Sequence, residues 1–274
     1  MALDRRPVGF LDSGLGGISV LGEAMRLLPD ENFIYFGDTK NIPYGDKPPQ
    51  QVCQLTRAAV MRLLDEGCKA IVIACNTATS AAAAQLRQEL DIPIIGMEPA
   101  LKPASLMDGD GKVLVMATRV TLSLPKFESL MERFGHDAIR VPCPGLMECV
   151  EDGALTGERV ERLLAQLLVP YRDLPVKAVV LGCTHYPFLK PTIARFFPPE
   201  VHLVDGNLGT ARQLKRRLEE TNLLSDGPGG NVRFLSSMEG TEALERMQSM
   251  LDQWRRLSAA DDNFAAERQI GECK

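Results

Sequence analysis

Short apolar runs rich in β-branched residues alternate along this chain with stretches whose apolar positions recur every three or four residues. Residues 8–11, 32–36, 71–74 and 92–97 read as buried strands of a parallel sheet. Between them, Ile18, Leu21, Met25 and Leu28 fall on one helical face, as do Val52, Leu55, Ala59 and Leu63, and Gly67 ends that second helix. An alanine-rich helix runs through Leu90. The proline- and glycine-bearing segment 39–49 reads as a loop. Strand–helix alternation of this kind predicts a parallel α/β unit.

A second unit begins after the turn at residues 109–111, with strands predicted at 113–118, 138–141, 178–181 and 202–204 and three or four intervening helices. Residues 98–104 are the expected crossing point. The segment VDGNLGTARQL (204–214) has the same order as DSGLGG near the start, an acid, a glycine-containing loop and then a helix. It is expected to return the chain to the first unit, followed by a strand at 231–235 and a helix at 241–257 that carries Trp254. The polar tail 258–274 is predicted to be poorly ordered. The expected division is residues 1–98 with 206–274 as one domain and 99–205 as the other.

Composition narrows the class only modestly. The chain has 274 residues, of which 45% are hydrophobic and 24% charged, as in an ordinary globular protein. A net charge of −5 supplies no attraction to nucleic acid or to a membrane surface. The sequence holds no run of eighteen apolar residues, and MALDRRPVGF lacks an apolar signal core, so the expected location is the cytoplasm. Seven cysteines without an export signal predict reduced thiols, and no C-x-x-C pair supports a zinc ribbon.

Two of those thiols stand where the pattern changes character. In IVIACNTATS, Cys75 follows an apolar strand and precedes Asn76 and Thr77; in AVVLGCTHYP, Cys183 follows another strand and precedes Thr184 and His185. Ligands of open α/β sheets bind at the carboxyl ends of strands. Amides at the start of a following helix favour a thiolate, and this is expected for both cysteines. Asn76 and Thr77 could hold a carboxylate. His185, two residues from a reactive thiol, reads as its proton partner. Asp12 and Ser13 end the first strand, Tyr44 and Gly45 sit in the long loop, and Glu151 precedes the glycine that ends a helix.

Three other chemistries compete. The loop GLGG approximates a dinucleotide fingerprint with Ser19 in place of the third glycine, and Asp38 lies near the ribose-binding distance. Against this, Asp12 would bring negative charge to a pyrophosphate. Cys75, Cys183 and His185 could instead serve as zinc ligands of a hydrolase. A non-catalytic amino-acid binding module is the third alternative.

FLDSGLGGISV, FGDTKNIPYGDK, IVIACNTATS, VEDG and LGCTHYP, in this order and spacing, resemble the glutamate racemases of the aspartate/glutamate racemase superfamily, over residues 8–214. The resemblance implies two facing parallel-sheet α/β domains related by pseudo-twofold symmetry, with the active site between them. It implies a cofactor-independent isomerase that interconverts L- and D-glutamate and supplies D-glutamate for peptidoglycan. Cys75 and Cys183 would be its two acid/base residues. Asp12 would assist Cys75, and Glu151 with His185 would assist Cys183. The substrate would be lined by Asp12, Ser13, Tyr44, Gly45, Asn76, Thr77, Thr184 and His185. Aspartate is the nearest alternative substrate. The expected partners are the small-molecule substrate and a second copy of the chain, with no metal, nucleic acid or membrane.

Overall fold

The computed structural model describes residues 4–271 other than 226 and 228, and side chains as far as residue 259. Strand β1 (Val8–Asp12) leads to helix α1 (Ile18–Leu27), β2 (Phe33–Gly37) to α2 (Pro49–Asp65), and β3 (Ala70–Ile73) to α3 (Asn76–Glu89), before β4 (Ile94–Gly96). The short helix α4 (Leu101–Ser105) then crosses to a second series. This comprises β5 (Lys112–Ala117), α5 (Arg119–Ser123), α6 (Pro125–Phe134), β6 (Ala138–Pro142), α7 (Leu146–Glu151), α8 (Glu158–Leu168), β7 (Val176–Leu181), α9 (Lys190–Ala194) and β8 (His202–Asp205). Helix α10 (Asn207–Glu220), β9 (Val232–Ser236) and α11 (Glu242–Gly271) complete the described chain.

Every strand pairing is parallel. One sheet has the order β4-β3-β1-β2-β9 and the other β6-β5-β7-β8. Read from its other edge, the second sheet is β8-β7-β5-β6, the same order as the first four strands of the first sheet. The internal repeat is therefore one of topology, with β9 added beyond β2. All residues of β1, β2 and β3 are buried, as expected of strands covered by helices on both faces. One apolar cluster continues from the first sheet (Phe10, Val72, Ala74) into the second (Leu114, Val179, Leu181), so the two sheets share a core.

Two expectations are corrected. Segment 39–49 is not featureless, because it contains 3₁₀ turns at Thr39–Asn41 and Tyr44–Asp46. Helix α11 does not stop near residue 257 but runs to Gly271. Four of residues 258–271 are alanine, the best helix former, and this favours continuation of the helix. Residues 272–274 of the predicted tail lie outside the described residues. Among the described residues no helix is long and apolar enough to cross a membrane.

Candidate active site

In each sheet the chain starts on an inner strand, moves to one side, and then crosses to the other. Crevices at the carboxyl ends of the strands on either side of that reversal are where open α/β sheets bind ligands. The reversals fall between β1 and β3 in one sheet and between β5 and β7 in the other. Cys75 stands two residues beyond β3, and Cys183 two residues beyond β7. Both thiols, each at least nine-tenths buried, line one cavity of about 280 Å³ between the strand ends. Ser13, Tyr44, Gly45, Asn76, Thr77, Thr184 and His185 line it too.

Cys75 is the N-cap residue of α3, which places its thiol at the helix start, near the Ala78 amide. Its Sγ lies 4.0 Å from Ser13 Oγ. Burial pushes the thiol's pKa up, the nearby Asp12 carboxylate adds to this, the Ala78 amide and Ser13 hydroxyl oppose it, and a charge on Cys183 raises it further. Asp12 is fully buried, and burial raises its own pKa against the pull of His185 and of the Gly14 amide. The Gly14 N–H donates to Asp12 Oδ2 at 3.0 Å, and Thr184 Oγ1 donates to Oδ1 at 3.3 Å. Asp12 thus touches the loop of the second thiol as well as neighbouring the first.

The second thiol is served differently, contrary to the expectation of a helix start behind both. Cys183 is followed by a 3₁₀ turn, Tyr186–Leu189, and then by the five-residue α9. Pro187 and Pro191 lack the amide hydrogens a continuous helix would need, so no long dipole points at this sulfur. A side-chain relay takes its place. Cys183 Sγ is 3.6 Å from His185 Nδ1, and His185 Nε2 is 2.6 Å from Glu151 Oε1. The Leu15 N–H donates to the same Glu151 oxygen at 2.7 Å. Burial alone would lower the pKa of His185, but its hydrogen bonds to Cys183 and Glu151 outweigh burial and hold it well above the usual imidazole value. Burial would raise Glu151, yet His185 and the Leu15 amide bring it below its ordinary value. The end of α7 that bears Glu151 therefore points at the Cys183 strand end. The Glu151→Gln variant is expected to lower the His185 pKa, which an NMR titration of the imidazole nitrogens would follow; an unchanged value would contradict this relay.

The glycine loop after β1 has a steric explanation that the dinucleotide reading lacks. A Cβ on Gly14 would fall 2.2 Å from Glu151 Oε1, and one on Gly16 would fall 2.3 Å from His185 Nδ1. These glycines admit the Glu151–His185 pair of the opposite unit, leaving no cradle for a pyrophosphate. Asp38 is likewise engaged within the protein. It accepts hydrogen bonds from Tyr44 OH at 2.6 Å and from Asn41 Nδ2 at 2.9 and 3.1 Å. It anchors the long loop that carries Tyr44 and Gly45 to the cavity wall. Among the described residues no group of three His, Cys, Asp or Glu side chains is placed to hold a metal ion.

Neither polar atom of the buried Asn76 amide has a hydrogen-bond partner within the protein. An unpaired amide on a cavity wall suits a polar ligand, because leaving it unmet costs about 1–3 kcal/mol. Sequence reasoning missed Thr118 and Thr121, which also line the cavity. Thr77 Oγ1 lies 3.4 Å from Thr118 Oγ1 and 3.2 Å from Thr121 Oγ1, so this hydroxyl cluster joins α3 of one unit to α5 of the other. The signal was available. Strand β5 runs into ATRVT as β3 runs into ACNTA, an apolar run giving way to threonines, but without a thiol to draw attention. Cys143 is a third thiol on the cavity wall, its S–H donating to the Val141 carbonyl at 3.2 Å and its pKa pushed by burial to about 12.

Comparison with known proteins places this arrangement in a lineage. The profile of the Asp/Glu/Hydantoin racemase family matches residues 24–214. A curated glutamate racemase of Clostridium perfringens is 49% identical over 254 residues, spanning 91% of this chain and 98% of the relative. The crystal structure of glutamate racemase from Thermus thermophilus, in complex with β-chloro-D-alanine, superposes with a TM-score of 0.78 at 35% identity, covering 92% of this chain and 94% of that one. The Escherichia coli enzyme, in complex with L-glutamate and the activator UDP-MurNAc-Ala, gives a TM-score of 0.80 at 30% identity over 91% of this chain and 95% of its own. With its two parallel sheets and a relative at this identity over nearly its whole length, the chain belongs to the Asp/Glu/Hydantoin racemase family and, within it, to the glutamate racemases, which are isomerases.

Proposed function

We propose that this protein interconverts L- and D-glutamate by moving the Cα proton between two thiols on opposite faces of the substrate. The observation that carries this reading is the position of Cys75 and Cys183 at equivalent strand ends of two sheets, on the walls of one small cavity. One sulfur, as thiolate, takes the Cα proton and becomes a thiol. The other, as thiol, delivers its proton to the opposite face and becomes a thiolate. The amino acid is inverted, and the enzyme is left ready for the reverse direction.

The electrostatics suit this division of labour. A charge on Cys183 disfavours a charge on Cys75, so the two are disposed to share one negative charge between them. Burial and Asp12 favour the protonated form of Cys75; the α-ammonium group of a bound amino acid would favour its thiolate. His185, whose charged form is favoured by its bond to Glu151, stands 3.6 Å from Cys183 Sγ as the proposed proton partner of that thiol. Arg119 is the one Lys or Arg among the described residues lining the cavity. The two carboxylates of glutamate would therefore rest mainly on neutral donors, with Asn76, Thr77 and Thr184 as the proposed ligands beside Ser13, Tyr44 and Gly45. Donors that tighten on a carboxylate as charge moves onto it from Cα stabilise the carbanion.

The proposed setting is the cytoplasm, with D-glutamate passed to peptidoglycan synthesis and with no nucleic acid or membrane as partner. A homodimer is the proposed assembly. The proposed domains are residues 1–98 with 206–274, and 99–205. Pairing of β9 with β2 supports the return of the C-terminal part to the first unit. The test is a chiral assay of the purified protein with glutamate and with aspartate, in strong chelator and without added nucleotide. The reading predicts inversion of glutamate under these conditions. A requirement for added nucleotide or metal, or a preference for aspartate, would contradict it.

A further inference from the structure

We infer that Arg246, on the C-terminal helix, is a positioning residue for the second acid/base centre and acts through the backbone of Glu151. The observation starts at the end of α7. The carbonyls of Glu148, Cys149 and Val150 accept hydrogen bonds from the backbone N–H groups of Asp152, Ala154 and Gly153. The Glu151 carbonyl instead accepts from the Arg246 guanidinium. The last carbonyls of a helix lack partners within it, and a cation beside them both satisfies them and meets their negative potential. Here that carbonyl belongs to the residue whose carboxylate holds His185 against Cys183.

The rest of α11 keeps this guanidinium in place. The methyl end of Met247 packs over Gly37 at the end of β2, where a Cβ would fall 2.4 Å from it. Trp254 lies against Gly22 of α1 and meets Phe188 edge to face, with ring centroids 5.6 Å apart. Helix α11 thus rests on the first unit and reaches the second at Glu151 and at the 3₁₀ turn behind His185. Arg246 also contributes a favourable charge to the ionised Glu151 carboxylate. Its side chain is exposed, so the effect is screened and modest. Nothing in the sequence around Arg246 signals this role, since the contact spans 95 residues and joins a side chain to a carbonyl.

The inference rests on the two-thiol reading, and its test separates the two. A racemisation has an equilibrium constant of unity, so kcat/KM must fall equally in both directions whatever Arg246 does. Primary isotope effects are free to diverge. If the Cys183 side is weakened, proton removal by Cys183 becomes slower, and the α-deuterium isotope effect rises for the enantiomer it deprotonates. For the other enantiomer reprotonation becomes slower, and the isotope effect falls. We expect Arg246→Met to lower kcat/KM by about two- to fivefold with isotope effects that diverge between α-deuterated L- and D-glutamate, and Arg246→Lys to restore most of both. A general loss of folded protein would lower the rate and leave both isotope effects at their wild-type values. Wild-type isotope effects in Arg246→Met, at any rate, would overturn the inference while leaving the two-thiol reading intact. Failure of the unmodified protein to racemise glutamate would instead overturn the reading itself.

Discussion

Cys75→Ala and Cys183→Ala are each expected to lower glutamate racemisation, in both directions, by about 10²–10⁴-fold or more, the range associated with loss of a general acid or base. Each thiol is needed once per turnover, as base in one direction and acid in the other, so neither variant should retain a fast direction. The third thiol on the same wall supplies the control. Cys143 donates to the Val141 carbonyl, and its replacement by alanine should leave turnover within a few-fold of wild type. Comparing kcat for the three variants, with circular dichroism to confirm the fold, separates the two proposed bases from a thiol that only shares their cavity. Near-wild-type turnover in either Cys75→Ala or Cys183→Ala would refute the assignment.

The second large effect concerns a residue with no functional group. In Gly16→Ala the new methyl would start 2.3 Å from His185 Nδ1 and 2.6 Å from Thr184 Oγ1. Neither neighbour is the free end of a flexible chain. His185 is bonded through both ring nitrogens, and the Thr184 hydroxyl is bonded to Asp12. The imidazole must therefore shift away from its position between Cys183 and Glu151. A displacement of about 1 Å at a proton-transfer site can cost on the order of 10² in rate. We expect kcat for Gly16→Ala to fall by about that factor, while Gly209→Ala, whose methyl meets nothing within 4 Å, stays at the wild-type rate. Full activity in Gly16→Ala would mean that the loop does not support His185 as described.

What could be read from the sequence, and what could not, follows the range of the interactions. The strands were legible because each is a short run of buried apolar residues, and Ile71–Ala74 or Ala178–Leu181 needs no distant partner to be recognised. The thiols were legible for the same reason, since the change from IVIA to CNTA is local. The role of GLGG was not. Its spacing points to phosphate, and only the approach of Glu151 and His185 from the other unit shows why side chains are excluded at positions 14 and 16. The same holds for Asp38, whose position resembles a ribose ligand but whose carboxylate is taken by Tyr44 and Asn41. The sequence likewise placed a helix start behind both thiols, whereas Cys183, with prolines at 187 and 191, is followed by a 3₁₀ turn and contacts His185, which is bonded to Glu151. Thr118 carried a local signal that went unused, and Arg246 carried none.

The measurement that bears most directly on the two-thiol account is the fate of hydrogen at Cα during early turnover of unlabelled L-glutamate in heavy water. A thiol that takes the substrate proton holds a single hydrogen, while the opposite thiol has already exchanged with solvent. The account predicts D-glutamate that carries deuterium at Cα, beside recovered L-glutamate that has kept its original hydrogen. D-glutamate that retains the original hydrogen would show one group working on both faces, and would contradict it.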